Sequence, residues 1–499
     1  VAKSTSKQAA APTGKGKQAT VKNDKNEEKA TASAKVAAKA KVAREAPKAK
    51  ASATAAAAAK APPAGKTAKA AAARSPKAPA ASKSAQALAK AKAPAKKAAS
   101  ASSAGKASTS KPASQAAAKP ASKKSAARSL PKASAKFAPD HEPKPWLENY
   151  PEVVPAEISG LPANSIGSLL VDACKRFASR PAFTCMDKTI SYAETERLSA
   201  AFAAFLQSRG LKKGARVAIM MPNVLQYPVA MMAILRAGYI VVNVNPLYTP
   251  RELEHQLQDS GAEAIVILEN FAATLQAAIA KTPVKLVVVA TIGEMLGLVK
   301  GTIVNFVVRR VKKMVPAWSL PGHVTFNGAV KAGKGMSLKP VEVGPDDVAF
   351  LQYTGGTTGV SKGATLLHRN VLANVAQNAL WMETAFVKRP RPANLVFICP
   401  LPLYHIYALT VNALMGMHIG GQNILITNPR DIPAFVKELA KYKINIFPGL
   451  NTLFNALLNN DDFRKLDFSQ LVLTFAGGMA AQKPVADRWK EVTGCLISE

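Results

Sequence analysis

Residues 348–363 gather side chains suited to holding a phosphate. Val348 to Tyr353, VAFLQY, reads as a strand. The next ten residues are Thr354, Gly355, Gly356, Thr357, Thr358, Gly359, Val360, Ser361, Lys362 and Gly363. Three glycines within five positions let a backbone approach a ligand and present its N–H groups with no Cβ in the way. Three threonine hydroxyls add short donors, and Lys362 adds a mobile point charge. The string is not the GxxxxGK[ST] phosphate loop, because Gly359 precedes Lys362 by three positions and Gly363 follows it. Glycines alone would fit a surface turn. The full string TGGTTGVSKG after an apolar strand is far more specific.

The elements that must position this loop begin well into the chain. The 499 residues carry a net charge of +36, and residues 1–136 hold 31 Lys/Arg against 4 Asp/Glu. That stretch is built from Ala, Lys, Pro, Ser, Thr and Gly, with Phe137 the first aromatic residue of the chain. It cannot bury enough apolar surface to offset chain entropy, so it reads as a disordered basic tail. Its composition resembles bacterial histone-like tails. Two readings stand: an arm for nucleic acid or another polyanion, or a solubilising extension or spurious upstream translation. The first residues, VAKSTSKQAA, have no apolar core of a signal peptide. A chain opening on Val rather than Met leads us to expect a start further upstream.

From about Pro145 the pattern changes to apolar strands alternating with short helices. A helix is expected over 165–179 with Ser165 as its cap, then a strand and helix over 189–210 closed by Gly210. Strands are expected at 216–223, 239–245, 262–269 and 286–290, and helices at 227–238 and 251–261. The fold class is α/β, a largely parallel sheet covered on both faces. Residues 303–315, IVNFVVRRVKKMV, combine an apolar face (Ile303, Val304, Val307, Val308, Val311, Met314, Val315) with Arg309, Arg310, Lys312 and Lys313. This is either a basic amphipathic helix lying on a membrane or an ordinary core-packed one. Between Arg391 and Arg430 there is no charged residue. Pro400, Pro402, His405, Asn412, His418, Gln422 and Asn423 interrupt the stretch, which therefore reads as buried core rather than a membrane span. Cys174, Cys185, Cys399 and Cys495 form no zinc or disulfide framework, and suit a reducing compartment.

YTGGTTGVSKG resembles the signature of the acyl-adenylate-forming superfamily, and LQYTGGTTGVSKGATLLHRNVLAN at 351–374 resembles bacterial long-chain fatty acid–CoA ligases. Further segments agree: 220–262, 300–316, LPLYHIYALTVNAL at 401–414, 420–433 and 451–463. The resemblance covers about 145–499 and omits the tail. It implies an adenylate-forming N-terminal domain over 137–499, with layered α/β subdomains and a smaller β-barrel. It implies ATP, Mg2+ and coenzyme A, with a fatty acid converted to acyl-AMP and then to a thioester. By this pattern Thr354, Gly355, Gly356, Thr357, Thr358, Gly359, Lys362 and Gly363 would hold the phosphates, with Thr354 also near magnesium. Lys362, His405 and Thr354 would be the catalytic set. His405 would lie beside the acyl and α-phosphate groups, a place its loop-like LPLYH setting favours over that of a core histidine. Its role would not be that of a general base, because a carboxylate is already ionised at neutral pH. Ala476, Gly477, Gly478 and Met479 would lie under adenine. Gly449, Leu450, Leu453 and Phe454 would join His405 along the acyl tunnel.

The chain stops at Leu496-Ile497-Ser498-Glu499. There the resemblance would continue into an aromatic–glycine–Thr–Glu motif with a magnesium carboxylate, a ribose-binding aspartate and a small C-terminal α+β domain. The domain is therefore expected to be incomplete, and the chain as it stands inactive or nearly so. Other readings remain open: an aryl, short-chain or amino acid substrate, a nucleic-acid-binding protein acting through its tail, or a noncatalytic acyl-binding remnant. A homodimer is compatible with all of them. The expected location is cytoplasmic, peripheral on the inner face of the cell membrane.

The tail generates its own prediction. Binding of the chain to DNA should weaken steeply with salt through counterion release and show little base preference. Removing residues 1–136 should abolish it while leaving nucleotide binding in place. Salt-independent DNA binding in a filter or fluorescence titration contradicts the mechanism.

Overall fold

The computed structural model describes residues 144–355 and 360–499. The tail 1–136 and the loop residues Gly356, Thr357, Thr358 and Gly359 lie outside the described residues. The strands are β1 (Pro181–Cys185), β2 (Lys188–Ser191), β3 (Arg216–Met220), β4 (Ile240–Asn243), β5 (Ala264–Leu268), β6 (Leu286–Ala290), β7 (Val324–Thr325), β8 (Val348–Thr354), β9 (Lys362–Leu367), β10 (Val396–Cys399), β11 (Gln422–Leu425), β12 (Ile446–Gly449), β13 (Leu473–Ala476) and β14 (Ile497–Ser498). They fall into two seven-stranded sheets, ordered β14-β13-β12-β10-β11-β1-β2 and β7-β6-β5-β3-β4-β8-β9. Pairing is parallel except at one end of each sheet, where β1–β2 and β8–β9 are antiparallel. The smaller β-barrel implied by the resemblance is not among the described residues.

The helices form where the sequence provides caps. Ser165 accepts the Ser168 N–H and starts Ile166–Arg176. Thr249 and Glu252 form a capping box at Pro250–Ser260, which ends on Gly261 at φ +62°. Residues Gln226 to Leu235 of the helix Gln226–Arg236 are all buried, as expected of a helix covered on every side. The uncharged stretch 392–429 resolves into β10, a helical segment over 406–416 and β11. Among the described residues no helix is long and apolar enough to cross a membrane.

The segment 303–315 departs from the expected single helix. The helix runs Leu298–Phe306 and passes into a π-helical turn, Val307–Val311, after which Lys313 adopts φ +48°. Arg309 is held by Glu269 at 2.7 Å, which diverts one of the four cations expected to face outward.

His368 opens the helix His368–Met382, and its Nδ1 accepts the Ile166 N–H at 3.0 Å. Burial pushes its pKa down to about 4, against roughly 6.5 in an unfolded chain. The neutral imidazole therefore stabilises the fold fully above about pH 6.5, and that contribution is lost as pH falls toward 4. It is worth at most about 3 kcal/mol. Thermal unfolding between pH 7 and pH 4.5 should show a falling midpoint, with a shallower fall in His368→Gln. Equal slopes in both proteins exclude this residue as the cause.

Candidate active site

The phosphate loop is a hairpin mouth. Thr354 and Lys362 are the last facing pair of the β8–β9 ladder, and both are exposed. The Ser361 hydroxyl donates to the Thr354 carbonyl at 3.0 Å, and His255 Nε2 lies 3.1 Å from the Ser361 carbonyl, so the base of the loop is pinned. Among the described residues Lys362 makes no ion pair. Gly355 has open space around it. A Cβ on Gly363 would come within 2.9 Å of the Tyr353 ring, so this glycine has a packing role whatever it does for a ligand. The Tyr353 hydroxyl in turn donates to Asp259 at 2.5 Å.

The other expected segments lie far apart in sequence but converge at one edge. β13, β12 and β10 are parallel neighbours. The residues expected under adenine, Ala476, Gly477, Gly478 and Met479, the pair Gly449-Leu450, and His405 all lie at or just after the carboxyl ends of these strands. Ligands of open parallel sheets collect at such ends. His405 caps the next helical turn, its Nδ1 accepting the Tyr407 N–H at 3.3 Å. Its proton therefore sits on Nε2, and partial burial lowers its pKa, so the ring is a neutral donor at pH 7.

A buried polar network couples this edge to the phosphate hairpin. Gln352, on β8 two residues before Thr354, donates to the Tyr404 carbonyl at 2.9 Å and accepts from Asn243 Nδ2 at 3.1 Å. The Tyr227 hydroxyl lies 2.7 Å from Asn243 Oδ1 and 2.8 Å from the Leu403 carbonyl. Asn223 donates to the carbonyls of Cys399 and Leu401, both at 2.9 Å, and accepts the Leu403 N–H at 2.9 Å. The turn that presents His405 is thereby tied to the strand that presents Thr354.

Tyr407 was not singled out in the sequence. Its ring crosses Gly477, where a Cβ would come within 3.1 Å of it. Its buried hydroxyl sits beside the Gly449 backbone and makes no well-formed hydrogen bond among the described residues. It lines a cavity of ≈ 750 Å³ together with Trp381, Thr410, Val411, Phe475 and Ala476. Leu453 and Phe454, expected along the acyl wall, are buried. Phe454 is fully buried against Phe447 and Trp489, and its ring occupies the place of a Gly449 Cβ at 2.4 Å. Leu450 is half-buried at the start of the helix Asn451–Leu458. Among the described residues no group of three His, Cys, Asp or Glu side chains is arranged to hold a metal.

The family model of the AMP-binding enzymes matches residues 170–499. The chain belongs to that family. The long-chain-fatty-acid–CoA ligase of Salmonella typhimurium is 53% identical over 357 residues, which is 71% of this chain and 63% of that protein. The chain thus spans about 63% of the length of that curated relative. Its fold is similar to that of an anthranilate CoA ligase solved with anthranoyl-AMP, with TM-score 0.57 and 18% identity over 68% of this chain and 60% of that one. It is also similar to a long-chain-fatty-acid–CoA ligase from Archaeoglobus fulgidus, with TM-score 0.55 and 21% identity over 68% and 62% of the two chains.

Gln352→Leu tests the coupling. It removes one donor and one acceptor from a buried network, at a cost of roughly 1–3 kcal/mol in unfolding free energy. It should also weaken binding of an adenylate analogue by about ten-fold or more, because His405 loses its tether to the hairpin. A variant that binds as the parent does shows that the network acts on stability alone.

Proposed function

We propose that this protein supplies the nucleotide- and acyl-binding part of a long-chain fatty acid–CoA ligase. Such an enzyme joins a fatty acid carboxylate to the α-phosphorus of ATP, releasing pyrophosphate, and then passes the acyl group to the thiol of coenzyme A, releasing AMP. What supports the reading most is the link from Gln352 to the Tyr404 carbonyl. It joins a Gly/Thr/Lys hairpin to the turn that presents His405. The 53% identity to a ligase of that name favours a fatty acid over an aryl acid.

In this reading the barrier is mostly charge repulsion between a carboxylate and a polyphosphate, and the residues act by placing positive charge and donors. Thr354, Gly355 and Lys362, with Gly356, Thr357, Thr358, Gly359 and Gly363, would surround the β- and γ-phosphates. His405 Nε2–H would donate to the acyl carboxylate or α-phosphate oxygen without taking a proton. Tyr407, its ring against Gly477 and its hydroxyl buried beside the Gly449 backbone, would form a wall between the adenine and acyl groups. The acyl chain would extend into the cavity beside Thr410, Val411 and Phe475. Magnesium arriving with ATP would neutralise phosphate charge. It would be held chiefly by the phosphates, with the Thr354 hydroxyl as a protein oxygen. Coenzyme A is the second acceptor in this scheme, and the domain is the adenylate-forming unit over 137–499. A fatty acid substrate also favours peripheral association with the inner face of the cell membrane.

Hydrolysis-resistant acyl-adenylate mimics test both parts by calorimetry. A long-chain acyl sulfamoyl adenosine should bind, and more tightly than its benzoyl counterpart, since each buried methylene contributes roughly 0.8 kcal/mol. Lys362→Ala should weaken ATP binding by roughly 1.5–3 kcal/mol, and Gly356→Val by more. A preference for the benzoyl compound overturns the substrate, and failure to bind either overturns the reading.

A further inference from the structure

The helix Leu298–Phe306 is docked with its polar and small side chains inward. Gly301 packs so closely on Gly293 that a Cβ on either would lie 2.2 Å from the other's carbonyl oxygen. Asn305 accepts the Gly293 N–H at 2.8 Å and donates to Thr291 Oγ1 at 3.0 Å. Lys300 pairs with Asp187 at 2.8 Å, Val308 is buried, and Arg309 is held by Glu269. At 3.6 residues per turn, Gly301, Asn305 and Val308 form one stripe, and Val299, Ile303, Phe306 and Arg310 form the opposite one. That outer stripe is bulky and apolar, with Val299 73%, Ile303 57% and Phe306 60% exposed, and Leu298 at the start of the helix is 88% exposed. Val311, the last residue of the π turn, and Met314 beyond it are also exposed. A water-facing helix ordinarily shows the reverse arrangement, and a contiguous apolar patch of this kind marks an interaction surface.

The surrounding charge identifies the partner. No acidic residue occurs anywhere in 295–341, while Arg310, Lys312 and Lys313 stand exposed beside the ridge. Two copies meeting ridge to ridge would set these cations against one another. A convex apolar ridge flanked by cations fits an anionic lipid bilayer, with side chains entering the acyl boundary and cations reaching headgroup phosphates. We propose that the Leu298–Phe306 ridge, with Arg310, Lys312 and Lys313, is the surface by which this protein sits on an anionic membrane. This deepens the reading of a ligase for bilayer-dissolved acids and rests on that reading only for its purpose.

The four native cysteines are buried, so a new exposed cysteine in the full chain takes an environment-sensitive fluorophore alone. Ile303→Cys reports the ridge, and Glu491→Cys, exposed on another helix, serves as control. On phosphatidylcholine–phosphatidylglycerol vesicles the label at 303 should shift to the blue and be quenched by nitroxide lipids, while that at 491 should not. Arg310, Lys312 and Lys313 changed together to Glu should weaken the signal at 303 by about ten-fold or more. A water-like label at 303 on vesicle-bound protein overturns the proposal, because the basic tail or another surface then carries the binding. A blue-shifted label without vesicles, accompanied by dimers in sedimentation equilibrium, also overturns it in favour of a second copy. The assay contains no ATP or acyl analogue, so its failure is distinct from failure of the ligase reading.

Discussion

The site depends on one buried polar network. Asn223, Tyr227, Asn243 and Gln352 are each nearly excluded from water, and between them they engage the carbonyls of Cys399, Leu401, Leu403 and Tyr404. The turn after β10 has Pro400 and Pro402, which cannot donate backbone hydrogen bonds. It cannot be held by a ladder, so it is held by side chains from β8 of the other sheet and from the segment and helix that follow β3. Each buried amide left unpaired would cost about 1–3 kcal/mol. That penalty favours a single position of the turn, and with it a single position of His405 relative to the Thr354–Lys362 hairpin.

A second constraint is steric. Large rings cross glycines at three places around the site: Tyr353 at Gly363, Phe454 at Gly449 and Tyr407 at Gly477. In each case the absent Cβ is what permits the approach. Only the last brings a ring with a free hydroxyl to the wall of a cavity. The glycines that attract notice in a sequence thus clear room for a neighbouring ring. Phe454 shows this, because its ring already fills the space beside Gly449.

The helix at 298–306 shows how docking geometry can reverse an expected face. The sequence pattern around 303–315 suggested that Val304, Val307 and Val308 belong to the same apolar face as Ile303. The close Gly293–Gly301 contact fixes the helix rotation instead. Val308 then turns inward, while Ile303 and Phe306 turn out. Arg309 is drawn to the buried Glu269 carboxylate, whose side chain is 2% exposed. The basic cluster is thereby split between an anchor and a surface.

By itself the sequence determined the order and type of the elements, because apolar runs and their caps are local signals. Ser165, Thr249 with Glu252, and Gly261 mark helix ends in the chain as they do in space. It also marked the Gly/Thr/Lys string after β8, whose glycines, hydroxyls and lysine are contiguous, and through that string the family. The tertiary structure alone decided which distant residues meet. Strand order in the first sheet sets β13, β12 and β10 side by side, and no local pattern encodes that adjacency. The roles of Gln352 and Tyr407 were invisible for the same reason: an amide on a strand and a phenol on a helix acquire meaning only from what lies across from them. Rotation of the 298–306 helix belongs to this class too, since a two-residue difference in which stripe docks exchanges core for surface.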